Sequence, residues 1–142
     1  MVKPAYTPEL FRDRPRHVQV LTAGLAPAAL GAVAGILLGV SAGAYWAVSL
    51  LAAIGGFLAG FEHRDGWGGA DRGLIGGAIY GLFLLLSHWV AGTHAKVSLG
   101  SFPPLLIIVT AIIGILLGAA GGRISRAQRE RAGVTPPPTA AG

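Results

Sequence analysis

Leu74-Ile75-Gly76-Gly77-Ala78-Ile79-Tyr80-Gly81-Leu82-Phe83-Leu84-Leu85-Leu86 runs without one charged side chain. A helix of this composition has no polar face to turn toward water, so its solvent is the hydrocarbon of a bilayer. The stretch belongs to an apolar segment spanning 74–92, and three further segments of the same kind cover 18–43, 45–61 and 103–122. Each is close to the ~20 residues that a helix rising 1.5 Å per residue needs to cross the membrane core. Hydrophobic residues make up 53% of the chain and charged ones 12%, and their separation into blocks excludes a water-soluble globular domain. The fold expected is all-α: a four-helix transmembrane bundle with glycine-ladder packing, readable as two tandem helical hairpins.

Lys and Arg sort by side. Lys3, Arg12, Arg14 and Arg16 precede the first span; Arg64 and Arg72 lie between the second and third; Arg123, Arg126, Arg129 and Arg131 follow the fourth. Lys96 alone stands in the third-to-fourth connection. The positive-inside rule then places both termini and the middle loop in the cytoplasm. The net charge of +5 is accounted for by topology and anionic lipid headgroups, so no nucleic-acid partner is expected. No signal peptide is expected, since the first apolar segment is too long for a signal core. The chain has no cysteine, which removes disulfides and thiolate metal sites.

The chain divides into a cytoplasmic N-terminal segment (1–17), a membrane domain (18–122) and a basic tail (123–142). Thr7-Pro8-Glu9 has the form of a helix start, and Leu10 and Phe11 beside Arg12 predict a short interfacial helix stopped by Pro15. From Val134 onward, with Pro136, Pro137 and Pro138, there is nothing apolar to bury, and disorder is expected. Tyr45, Trp46 and Trp89 are expected at the outer interface.

Glycine recurs at every fourth position in each span: Gly31, Gly35, Gly39 and Gly43; Gly56 and Gly60; Gly69, Gly73, Gly77 and Gly81; Gly114, Gly118 and Gly122. Residues four apart share a helix face, so each helix carries a groove without side chains. Helices in lipid associate by close backbone contact, which such grooves permit. These glycines are therefore the helix-packing candidates. Gly56 aligns with Gly114, and Gly60 with Gly118, in a faint internal repeat. Packing this close leaves no lumen inside one subunit, so any pathway has to form between subunits.

Glu62, His63, Arg64, Asp65, Asp71 and Arg72 form the densest polar cluster. Carboxylates beside a histidine invite a metal or proton site. The plainer reading is a short turn whose arginines set topology, with Glu62, Asp65 and Asp71 as their partners and Trp67 as a headgroup anchor. His88 and His94 are the other candidate ligands, the plainer reading of His88 beside Trp89 being a hydrogen-bonded interface residue, and Ser49 and Thr110 are sites of ordinary interhelical hydrogen bonds. No catalytic set is found, and no cofactor is expected.

Ile54-Gly55-Gly56-Phe57-Leu58-Ala59-Gly60-Phe61, then Arg64-Asp65-Gly66, then Gly73-Leu74-Ile75-Gly76-Gly77, resembles a family of small four-span, glycine-rich prokaryotic membrane proteins best represented in halophilic archaea. The resemblance covers about thirty residues and implies no activity. The function expected is that of a non-enzymatic protein of the cytoplasmic membrane, acting by helix packing as a homo-oligomer or as an accessory subunit of another membrane protein. The alternative is a small channel or transporter whose pathway runs along a subunit interface.

Overall fold

The computed structural model describes residues 10–133, and within them the chain is helical with no strand. Four helices are long and apolar enough to cross a bilayer: α1 (Arg16–Val40), α2 (Ala42–Phe61), α3 (Gly66–Ala91) and α4 (Leu105–Arg131). Lys3, the helix-start motif at Thr7 and the proline-rich tail lie outside the described residues. Of the short N-terminal helix, the described part is a single 3-10 turn, Phe11–Asp13. The fourth helix does not stop at Gly122 but continues through Arg131, because nothing in that basic stretch breaks a helix.

Local chemistry sets the ends. Ser41 is extended (φ −154°, ψ 126°), and its Oγ accepts from the Ala44 N–H at 3.4 Å, which stops α1 and caps α2 within one residue. Asp65 caps α3 by accepting the Gly68 N–H at 2.8 Å. Gly92 ends α3 in the left-handed region (φ 61°), which only a residue without a Cβ enters cheaply. Across the long connection, Lys96 N–H donates to the Leu38 carbonyl at 2.8 Å and ties that loop to the end of α1.

α1 departs from α geometry over Leu21–Leu25, where it widens to a π turn. There the Ala26 N–H donates five residues back, to Leu21. Pro27 follows, with no N–H to give and a ring that crowds the carbonyl four residues earlier.

The most extensive contact joins α3 to α4, followed by α1 with α3 and α2 with α4. The consecutive pair α1 and α2 shares less surface, so the two hairpins interleave instead of forming separate units. Large side chains point outward and small ones inward. Leu50 and Leu116 are 63% and 64% exposed, whereas glycines fill the contact between α3 and α4. This inversion of the water-soluble pattern is what lipid requires, since burial between helices brings no hydrophobic gain there.

A side-chain core exists toward the end that holds residues 93–104. Ala34, Leu38, Tyr45, Tyr80 and Leu84 make it up, and Leu38 and Leu84 are fully buried. Tyr45 was expected at the interface beside Trp46, but only Trp46 is exposed. Tyr45 turns inward into this core, its ring edge-on to Trp46 at 5.2 Å.

Candidate functional site

The glycine faces meet backbone. A methyl group built on Gly73 would overlap the Gly114 carbonyl; one on Gly77 would overlap that of Thr110, and one on Gly69 that of Gly118. Gly114 and Gly118 return the contact from α4, and Gly122 lies against the Asp65 carbonyl. Gly81 abuts the Thr110 side chain. Partners rise along α3 as they fall along α4, so these two helices run antiparallel. On α1, Gly31 lies on the Tyr80 carbonyl, Gly35 on that of Leu84 and Gly39 on the Thr93 side chain, an ascending series that makes α1 and α3 parallel.

Gly60 of α2 rests on the Gly118 carbonyl. Gly56 does not follow it: a methyl group built on it meets nothing within 4 Å, and the same holds for Gly55. Gly43 is also outside any close contact. The faint repeat therefore pairs unlike environments, since Gly114 is enclosed and its counterpart Gly56 is open. Two contact residues escaped the sequence reading. Gly121 lies on the Phe57 carbonyl, and Ser125, 3% exposed, donates its hydroxyl to the Phe61 carbonyl at 2.8 Å. Their spacing after Gly118 continues the α4 face and was the available signal.

The polar cluster is dispersed into separate tasks. Glu62 makes its direct ion pair with Arg14 of the N-terminal segment at 3.1 Å, and its charge reaches Arg72 only at longer range. Asp65 is occupied as the α3 cap, while Arg64 and Asp71 are exposed. The His63 Nδ1 lies 3.1 Å from the Ala59 carbonyl; an oxygen there can only accept, so Nδ1 carries the proton. The His63 ring stacks on Phe11 at 5.5 Å.

Arg72 reaches the Thr22 carbonyl, fifty residues earlier in the chain. That oxygen is short of a donor for a reason written into α1. In π register the Ala26 N–H goes to Leu21, and the next donor in line would be Pro27, which has none. The guanidinium supplies the missing hydrogen, with the Phe11 ring 5.9 Å from its carbon.

Ser49 and Tyr80 share a hydrogen bond of 2.9 Å between α2 and α3. Thr110 touches Gly81 of α3 but gives its hydrogen bonds within α4, its hydroxyl donating to the Leu106 and Ile107 carbonyls at 2.9 and 3.0 Å. At the far end, an open groove of about 450 Å³ runs beside Leu85, His88, Trp89 and Leu99. The His88 Nδ1 is sealed beneath the surface without a hydrogen-bond partner among the described residues. His94 is exposed in the connection. Among the described residues no three His, Asp or Glu side chains converge as a metal site requires.

The fold and its surface define a membrane-embedded four-helix bundle. No protein-family model, no curated protein and no solved structure matches the chain.

Proposed function

We propose that the protein is a non-enzymatic integral membrane protein that works by helix packing, as a homo-oligomer or as an accessory subunit of a membrane complex. The observation behind this reading is the unequal use of the glycine faces. Those of α1, α3 and α4 are taken up inside the subunit, while Gly55 and Gly56 on α2 face open space between the exposed Leu51, Ile54 and Leu58. A lipid chain gains little from such a notch, whereas another helix can bring its backbone into it. The proposed setting is the cytoplasmic membrane of a prokaryote with both termini in the cytoplasm, where the arginines at the helix ends meet anionic headgroups.

The chain lacks cysteine, so one placed at Ile54 or Leu58 is the sole crosslinking point. Mild oxidation in native membranes should give a disulfide-linked dimer if α2 meets its own copy. A heterologous membrane protein retained in native mass spectrometry would instead identify the accessory role. Monomers without any retained protein in both measurements would refute the proposal.

A further inference from the structure

We propose that residues 10–15 form a strap over Arg72 whose seating holds α1 in its π register. Four contacts seat it. The Phe11 N–H donates to the Glu62 carbonyl at 2.9 Å, Arg14 pairs with Glu62, the Phe11 ring stacks on His63, and the same ring covers the Arg72 guanidinium. Gln19 fastens the strap to α1 as well, its Nε2 donating to the Arg14 carbonyl at 2.8 Å.

Beneath the strap lies the one hydrogen bond that compensates the π turn. Arg72 fills the Thr22 carbonyl, which Pro27 cannot serve. A guanidinium near a helix end is drawn toward water and headgroup phosphates, and the face of the Phe11 ring, 5.9 Å from its carbon, holds it back by cation–π attraction. With the strap seated, Arg72 stays on Thr22. With the strap lifted, the guanidinium is free to leave, Thr22 loses its donor, and the turn at Leu21–Leu25 is no longer held.

The strap is releasable by design of its contacts. The side chains of Arg14 and Glu62 are 25% and 21% exposed, so their attraction is partly screened by solvent. The backbone bond and the ring contacts are likewise at the surface end of the bundle, not in its core. What happens to the N-terminal segment thus reaches a turn inside the first span through a single arginine.

Hydrogen exchange on the full chain in lipid nanodiscs tests this. Arg14→Gln removes the ion pair and leaves the groups around Arg72 in place, Glu62→Gln removes the pair together with a charge that acts on Arg72, and Lys96→Gln removes one charge at the opposite end as a control. Both strap variants should speed exchange severalfold in residues 10–16 and also in Leu21–Ala26, with α3 and α4 unchanged. Lys96→Gln should change neither segment. Faster exchange in the strap with Leu21–Ala26 unaltered would overturn the coupling, and an unaltered strap in both variants would overturn the strap itself. Should Glu62→Gln fail to accumulate, Arg14→Gln alone decides, since Arg14 lies outside the spans.

Discussion

Gly77 lies directly on the main-chain carbonyl of Thr110, leaving no room for even a methyl group between α3 and α4. A leucine there has to push two backbones apart, and overpacking of this kind costs about 1–3 kcal/mol. Gly77→Leu, Gly35→Leu and Gly118→Leu should each lower the temperature of aggregation in a fixed detergent. Gly55→Leu and Gly56→Leu enter space that is open within the subunit, so they should leave the unfolding of the isolated subunit unchanged while weakening any assembly through the α2 notch, which separates the two kinds of contact.

The Ser49–Tyr80 bond should be modest despite its depth. Interhelical hydrogen bonds in membranes average about 0.6 kcal/mol, because the separated helices also find partners. Tyr80→Phe and Ser49→Ala should each destabilise by roughly that amount, and the double variant by little more than either one. Additive losses in steric-trap or denaturant unfolding would show that the bond is not what links them.

Ser125 joins two partners, since its Oγ also accepts from the Arg129 Nε at 3.4 Å. It is enclosed, and its hydroxyl is the donor to the Phe61 carbonyl at the end of α2. Ser125→Ala removes that donor and should cost about 0.5–1.5 kcal/mol. Ser125→Gly, which also loses the bond, should cost at least as much in the same unfolding measurement; an unchanged midpoint in both would mean the bond contributes nothing.

Topology is open to direct measurement. Single cysteines at Arg64 or Ala127 should resist an impermeant thiol reagent added to intact cells, and one at Ala95 should react. Labelling at Arg64 from outside would reverse the orientation inferred from the arginine distribution.

The four spans were legible because a bilayer demands uninterrupted apolar sequence, and that demand leaves a mark in composition. The packing faces were legible as faces, since a four-residue period is written directly in the glycines. Their partners were not. Gly56 and Gly60 have the same spacing and differ only in what stands opposite, which depends on how the helices are arranged around one another. Tyr45 and Trp46 are neighbours of similar character, and the inward turn of Tyr45 depends on the space left beside Leu38 and Leu84. For Arg72 the difficulty was the identity of the acceptor. Charge arithmetic pointed to Asp and Glu side chains, whereas the bond goes to a main-chain oxygen whose need for a donor arises from a proline five residues on.

The interleaving of the hairpins bears on how the protein is made. Synthesis delivers α1 and α2 to the membrane first, yet the glycine face of α1 is completed by α3 and Gly60 of α2 by α4. The first hairpin therefore reaches the bilayer with its contact surfaces still vacant, and its final arrangement waits for the second half of the chain. A ribosome stalled after α2 would leave an inserted but unassembled hairpin, a natural substrate for membrane quality control.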